Sequence, residues 1–135
     1  MRRAVSFVIA RFKDEIHPMF RKDVFERLNG FDENIFMYTE DMEICYRAKK
    51  LGYGISFYPN VTVLHQDTGS SNRSFAIVNI YKNLLYFYKK HRSIPEYIFL
   101  KFLLQTKAIT LIGVGHVLRK SYFTQTYEKA LKATR

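Results

Sequence analysis

Residues 21–47 read RKDVFERLNGFDENIFMYTEDMEICYR, and the turn signals inside this stretch decide which fold the sequence predicts. A short helix that opens at Asp23 is predicted first, because apolar residues recur there at helical spacing. Those residues are Val24, Phe25 and Leu28. Asn29-Gly30 predicts the end of this helix, since Asn and Gly both tolerate the left-handed backbone that commonly closes a helix.

A second helix is predicted after an aromatic-rich loop over residues 31–38. Its start lies between Thr39 and Asp41, because a hydroxyl and two acids suit the first turn of a helix. Gly52 predicts its end. Its inner face is predicted to carry Ile44, Ala48 and Leu51.

Short strands are predicted on both sides of these helices, over residues 4–12, 54–59 and 61–65, from their β-branched and aromatic content. An open sheet edge at residues 4–12 would be a place for self-pairing, and hence for a homo-oligomer. From Ser74 onward the pattern is helical, and Pro95 predicts a break. The helical face before that break holds Ile77, Ile80, Tyr81, Leu84, Leu85 and Tyr88.

The composition is that of a folded, strongly basic domain of 135 residues, with 22 Lys and Arg against 12 Asp and Glu and a formal net charge of +10. Such an excess favours an anionic partner: nucleic acid, a phospholipid surface or a diphosphate substrate. Cys45 is the single cysteine, which excludes an intrachain disulfide and a Cys-rich zinc site. It also fits a cytoplasmic location.

The order of motifs from Arg21 to Ser71 resembles the acceptor side of family-2 glycosyltransferases, the inverting enzymes of the GT-A fold, and among them the rhamnosyltransferase-like ones. The matching segments are RKDVF, GFDE, FMYTEDMEICYR, Gly52-Tyr53, Pro59, His65 and Gly69-Ser70-Ser71. The resemblance implies an α+β chain, a partial α/β GT-A fold with short strands and helices in the first half and a helical second half. Residues 1–72 would be the C-terminal portion of a GT-A domain.

The site residues follow from this resemblance. Asp41 inherits the role of the base that takes a proton from an acceptor hydroxyl, and Glu40 would orient the loop or bind acceptor hydroxyls. Asp32 and Arg47 would contact substrate. On position alone, however, the two acids could simply cap a helix N-terminus, and Arg47 could be an ordinary exposed helical arginine.

The resemblance also implies a divalent metal, Mn or Mg, with His65 as a ligand that helps to neutralise the leaving diphosphate. A His at the end of a strand is more often a hydrogen-bonded rim residue. The family's other ligand comes from an Asp-x-Asp motif, which this sequence does not contain, so metal binding is expected to be weak or absent.

The partners implied for a complete enzyme are a nucleotide-sugar and a saccharide or lipid-linked acceptor. Because the nucleotide-binding half is expected to be missing, the chain is predicted to be inactive alone unless a separate donor-half chain completes it. The alternative is a non-catalytic basic module for nucleic acid or a membrane surface, although no specific nucleic-acid signature is present.

Residues 73–135 form the basic amphipathic region of this prediction. Their helix could lie at the inner face of the cell membrane as a peripheral anchor, or it could pack in a helical bundle, and the sequence leaves both open. The apolar stretch from Ala108 to Leu118 is predicted to be too short to span a bilayer.

Overall fold

The computed structural model describes residues 5–12, 15–58 and 73–135, and the chain divides into two compact units, Met1–Thr68 and Gly69–Arg135. Among these residues, the first unit has three strands and two helices, and the second has three helices. Most described residues are helical, and an α+β class is compatible with this content.

The sheet of the first unit has the order β2-β1-β3. Its strands are β1 Val5–Phe12, β2 Glu15–Phe20 and β3 Gly54–Tyr58. β1 pairs with β2 in the antiparallel sense and with β3 in the parallel sense, so Ile9 lies opposite both Pro18 and Phe57. The predicted strands at 4–12 and 54–59 are thereby confirmed, but the predicted open edge at 4–12 is wrong, because β1 is the central strand. The predicted strand 61–65 lies outside the described residues.

The helices of this unit are α1 Lys22–Arg27 and α2 Glu40–Lys50, close to their predicted bounds. They share a core formed by Val24, Leu28, Ile44 and Ala48. Leu51 was predicted to join that face, and this is wrong, since it is 59% exposed. The helix ends before Leu51, Gly52 turns the chain with a φ of 84°, and Tyr53 packs against the core instead.

The second unit consists of α3 Arg73–His91, α4 Ile94–Val117 and α5 Ser121–Ala133. Their common core contains Tyr81, Leu85, Leu104, Ala108, Tyr127 and Ala130. Two residues of the predicted α3 face, Tyr81 and Leu85, are therefore core residues that pack against the neighbouring helices. These two residues are packed as the bundle alternative expects, and the membrane alternative for residues 73–135 stays a prediction.

Helix α4 begins at the predicted break. α3 ends at His91 and Pro95 lies in the first turn of α4, so the break predicted at Pro95 is confirmed, and Ser93 with Glu96 forms a capping box at the start of α4. The helix has 24 residues, so the length available for a span is not limited to the stretch from Ala108 to Leu118 that was predicted to be too short. By length and composition alone α4 could cross a membrane, and one such helix is weak evidence that it does.

Candidate functional site

The turn that closes α1 has the left-handed backbone that Asn29-Gly30 predicts. Asn29 has a φ of 59° and Gly30 a φ of 69°. The amide of Gly30 donates to the carbonyl of Phe25 at 3.0 Å, which satisfies one of the last carbonyls of the helix. This turn fixes the direction in which the following Phe31-Asp32 segment leaves the helix.

Arg47 connects this turn to α2. Its Nε donates to Glu43 Oε2 at 2.7 Å, its Nη2 donates to the Gly30 carbonyl at 2.7 Å, and its Nη1 donates to the Leu28 carbonyl. The Glu43 side chain is 1% exposed and that of Arg47 is 19% exposed. Arg47 therefore positions the 28–30 turn from within the domain, and its predicted contact with substrate stays a prediction.

Glu43 was missed at the sequence level. The signal that could have found it is the four-residue spacing from Glu43 to Arg47, which places an acid and a base on one helix face in the favourable order. A buried carboxylate without this partner would be strongly destabilising, so the pair belongs together.

A cluster of three aromatic rings lies beneath the turn. The ring centroids of Phe20, Phe25 and Phe31 are 5.4 to 5.8 Å apart in tilted or edge-to-face arrangements. Such separations are within the range in which aromatic pairs attract each other. The cluster thus joins the end of β2, helix α1 and the start of the predicted site loop.

Asp32 orders the loop that follows. Its Oδ1 accepts from the backbone amide of Asn34 at 3.0 Å and from Asn34 Nδ2 at 2.9 Å, while its carbonyl accepts from the amide of Ile35. Ile35 is 4% exposed and anchors the loop, whereas the next residue, Phe36, is 80% exposed. The loop therefore presents an aromatic ring to solvent from a fixed base.

The entry to α2 has an unusual backbone. Tyr38 and Thr39 have φ values of 67° and 72°, which is uncommon for bulky or β-branched residues. Thr39 makes no side-chain cap hydrogen bond, although its carbonyl accepts from the amide of Glu43 at 2.9 Å. The chain enters the helix with two consecutive residues in a disfavoured region, and such strain commonly accompanies functional sites.

Two polar atoms at this entry are buried without a hydrogen-bond partner among the described residues, namely Thr39 Oγ1 and Glu40 Oε2. Leaving a buried polar atom unsatisfied costs about 1–3 kcal/mol, so most such atoms in native proteins are paired. Glu40 is the first residue of α2, and the two atoms are therefore adjacent along the chain. Their hydrogen-bonding capacity is unused among the described residues.

Asp41 is the second residue of α2 and is half-buried. Its Oδ1 accepts from the backbone amide of Met42 at 2.7 Å. Burial, with a smaller contribution from the charge of Asp41, raises the pKa of the Cys45 thiol to about 11. A raised pKa disfavours the thiolate, so Cys45 is a poor candidate for a nucleophile.

The predicted metal site is not assembled by the described residues. Within residues 5–12, 15–58 and 73–135, no group of three His, Cys, Asp or Glu side chains could hold a metal ion. His65 lies outside the described residues, so its role as a ligand stays a prediction.

Comparison with known proteins gives partial matches to sugar transferases. The chain is 36% identical over 72 residues to the rhamnosyltransferase WbbL of Escherichia coli (strain K12). It is 38% identical over 53 residues to an N-acetylglucosaminyl-diphospho-decaprenol L-rhamnosyltransferase of Mycobacterium tuberculosis (strain ATCC 25618 / H37Rv). These matches cover 53% and 39% of this chain, but only 23% and 17% of the two relatives. No family model and no solved structure matches the chain.

The chain contains a glycosyltransferase-related region. The alternative of a purely non-catalytic binding module is not favoured, because the matched relatives are rhamnosyltransferases by name.

Proposed function

We propose that the first unit is the acceptor side of an inverting, family-2 type glycosyltransferase with a GT-A fold. The observation that carries the proposal is the entry to α2, where two unsatisfied buried oxygens, Thr39 Oγ1 and Glu40 Oε2, directly precede the Asp41 carboxylate. The partial matches to rhamnosyltransferases support the same class of reaction.

Asp41 is the proposed base. A sugar hydroxyl is a poor nucleophile, and a positioned carboxylate that removes its proton as it attacks the anomeric carbon accelerates such reactions by about 10²–10⁴-fold. The new glycosidic bond forms from the acceptor oxygen while the bond from the sugar to the nucleotide diphosphate breaks, and the proton moves to Asp41. Because Asp41 stands at the start of α2, the backbone amide of Met42 can steady one carboxylate oxygen during this step.

Glu40 and Thr39 would hold the acceptor. Both oxygens are buried, so the entry to α2 has to open locally before Glu40 Oε2 accepts a hydrogen bond from a sugar hydroxyl and the Thr39 hydroxyl pairs with a second one. The exposed ring of Phe36 offers an apolar face of the kind that stacks on a sugar ring. In this arrangement the left-handed backbone at residues 38–39 serves to aim these groups, and Arg47 keeps the neighbouring turn in place.

The acceptor class is suggested by the relatives. One of them is named for transfer to an N-acetylglucosaminyl-diphospho-decaprenol, a saccharide linked through diphosphate to a polyprenol. We extend this class, a lipid-linked saccharide, to the present chain. The nucleotide-sugar site would then be supplied from outside these 135 residues, in line with the absence of an Asp-x-Asp motif and with the small share of each relative that is matched. In this proposal the 135 residues alone do not transfer sugar.

The expected divalent cation, with His65 as one of its ligands, stays part of the proposal for a complete enzyme. Such an ion, when bound, would stabilise charge on the leaving diphosphate.

The experiment that tests this function is an NMR titration of the isotopically labelled chain with a short-chain N-acetylglucosaminyl-diphospho-prenol. We expect amide shift changes concentrated in residues 32–42, since the acceptor contacts the loop and the start of α2. Asp41→Asn should retain these changes, because the base acts on the bound hydroxyl, whereas Glu40→Ala should weaken binding at least tenfold. Glu33→Ala, an exposed acid of the same loop, is the matched control.

A parallel titration with nucleotide-sugars and Mn²⁺ tests for a donor site separately from the acceptor site. The proposal expects no site-specific shifts with UDP-, dTDP- or GDP-sugars, because the donor site lies elsewhere. Shifts that appear only with a single-stranded oligonucleotide, and none with any saccharide, would overturn the proposal in favour of a nucleic-acid binding module.

A further inference from the structure

The net charge of the chain lies entirely in the second unit. Residues 69–135 contain 12 Lys and Arg but only two acids, Glu96 and Glu128, whereas residues 1–68 contain ten of each. The whole formal net charge of +10 therefore belongs to the helical unit. Each of its charged side chains in residues 73–135 is exposed or half-buried, so this charge faces outward.

Helix α4 carries an unusual amount of exposed apolar surface. Its large apolar side chains with more than a third of their surface exposed are Ile94, Ile98, Phe99, Phe102, Leu103, Ile109, Val114 and Val117. Only 17% of its most apolar window is buried within the protein. A soluble bundle helix normally has a polar outer face, so this face has the composition of a contact surface.

The exposed arc runs along the length of the helix, and Thr106, Thr110 and His116 are its exposed polar members. At 100° per residue, the outward arc from Ile98 to Val117 contains no Asp, Glu, Lys or Arg. Lys101 and Lys107 fall on the two borders of the arc, next to the buried side of the helix. With 24 residues the helix is about 36 Å long, and basic residues flank both of its ends, at 89–92 and at 119–120.

We propose that the outward face of α4 seats in the surface of an anionic membrane, with the helix axis parallel to the membrane plane. The apolar arc would enter the boundary between headgroups and acyl chains, and the basic residues at both ends would meet lipid phosphates. This proposal is independent of the sugar-transfer function, since it rests on the second unit alone.

The orientation in the plane follows from the packing of α4. Its other side contacts α3 and α5, and these helices expose Lys82, Glu128 and Lys129 to solvent. A spanning orientation would carry those charges into the hydrocarbon, where each is strongly unfavourable. An in-plane orientation leaves them in water.

The basic residues at the ends of α4 and their absence from its arc also argue against two other partners for this arc, a second copy of the chain and a nucleic acid. A second copy packed on the same arc would bring one basic helix end against another, whether the helices ran parallel or antiparallel, and like charges repel. A nucleic acid would require basic side chains across the contact face, and the arc of α4 between Ile98 and Val117 has none.

The test uses the full chain, which contains no tryptophan, so one introduced indole reports on its own surroundings. Phe102→Trp places the reporter on the arc, and Phe75→Trp places it on an exposed position of α3 as the matched control. Added vesicles of phosphatidylglycerol and phosphatidylcholine should shift the emission of Phe102→Trp to shorter wavelength and leave Phe75→Trp unchanged. Equal shifts at both positions, or none at Phe102→Trp, would overturn the proposal.

Flotation with the same vesicles measures affinity. Phe99→Glu with Phe102→Glu should lower the partition coefficient at least tenfold, while Phe75→Glu should leave it nearly unchanged; circular dichroism checks that both remain helical. Vesicles of phosphatidylcholine alone should bind at least fivefold more weakly. Retention of the protein in the membrane after sodium carbonate at high pH would contradict the in-plane orientation. A concentration-dependent dimer abolished by Phe102→Glu, without vesicle binding, would assign the arc to a second copy instead.

Discussion

The two units use charge in opposite ways. In the first unit ten basic residues are balanced by ten acidic ones, and the most buried charge, Glu43, is paired with Arg47 to fasten one turn to one helix. In the second unit twelve basic residues stand against two acids, and its described core is apolar apart from the polar groups of Tyr81, Asn83, Thr126, Tyr127 and Thr134. In the first unit a buried ion pair holds the turn beside the candidate site, and in the second unit the charged side chains lie on the outer surface.

The two units also differ in how many of their residues have a left-handed backbone. Of the five described residues with positive φ in the first unit, four fall within residues 29–39 around the candidate site, namely Asn29, Gly30, Tyr38 and Thr39, and the fifth, Gly52, follows α2. The described helices of the second unit contain none, and Arg119 between α4 and α5 is the left-handed residue of its connections. Strain and buried ionic pairing are concentrated where chemistry is proposed, and regular packing is found where a surface is proposed.

The largest effect should come from breaking the ionic clamp of the first unit. Arg47→Met removes the partner of a buried carboxylate and three hydrogen bonds, so we expect the free energy of unfolding to fall by about 3–5 kcal/mol. Denaturant unfolding measures this loss, and hydrogen exchange of the α2 amides locates it in the first unit. Exchange in α4 should not change, because the second unit does not share the clamp.

The matched control is Arg21→Met. Arg21 forms an exposed pair with Asp23 at 2.7 Å, with side chains 52% and 64% exposed, and such pairs contribute little to stability. We expect its unfolding midpoint to equal that of the wild type. A similar loss for both variants would mean that burial of the Glu43 pair does not distinguish it from a surface pair.

Sequence reasoning succeeded where a local pattern decides the structure. The apolar spacing of Val24 with Leu28, and of Ile44 with Ala48, predicted the core of the first unit, and Asn29-Gly30 predicted its turn. It failed at Leu51, because the apolar spacing was extended one residue past Lys50, where α2 ends. It also missed β2, although Phe12 of β1 lies directly opposite Glu15 of β2, because Pro18 lies inside this strand and proline argues against a strand assignment.

The candidate site was predicted in part for the same reason. Glu40 and Asp41 stand at the helix start where the sequence placed them, but the left-handed Thr39 and its buried hydroxyl carry no sequence signature. The function of Arg47 as a backbone clamp depends on the turn at Leu28 and Gly30, nineteen and seventeen residues away, which spacing on one helix does not reveal.

Alanine substitutions at two glycines of α4 should distinguish a closely packed position from an open one. A Cβ at Gly115 would lie 2.7 Å from Thr124 Oγ1 and 3.0 Å from the Thr124 amide nitrogen, so Gly115→Ala should destabilise the second unit by about 1–3 kcal/mol. Gly113→Ala meets nothing within 4 Å and should stabilise it by about 0.5–1 kcal/mol, because alanine is the better helix former. Thermal unfolding measures both. Equal effects of the two substitutions would contradict the observed packing of α5 on α4.

Relieving the strained backbone at the entry to α2 should stabilise the protein, whereas most substitutions destabilise a protein. Thr39→Gly removes a β-branched residue from a φ of 72° and should raise the free energy of unfolding by about 1 kcal/mol. Asn29→Gly, at a φ of 59°, is the control and should have less effect, because Asn tolerates this region. If Thr39 binds acceptor, the same variant should bind the prenyl-linked saccharide more weakly. A stabilised variant with undiminished binding would remove Thr39 from the site.

The smallest predicted effect is on the pKa of Glu96, one of the two acids of the second unit. Hydrogen bonds from the Ser93 hydroxyl and amide lower the pKa of Glu96 below its ordinary value of 4.5, with a smaller contribution from Arg92. The folded pKa is the lower one, so this contribution to stability is present above the ordinary carboxyl pKa and is lost as the pH falls through the folded value. Ser93→Ala should move the pKa of Glu96 back toward 4.5, and carboxyl-carbon NMR measures it, with Ser121→Ala as the control. A pKa that stays low in Ser93→Ala but rises in 0.5 M salt would mean that the basic surface of the second unit, and not the helix cap, sets the ionisation of Glu96.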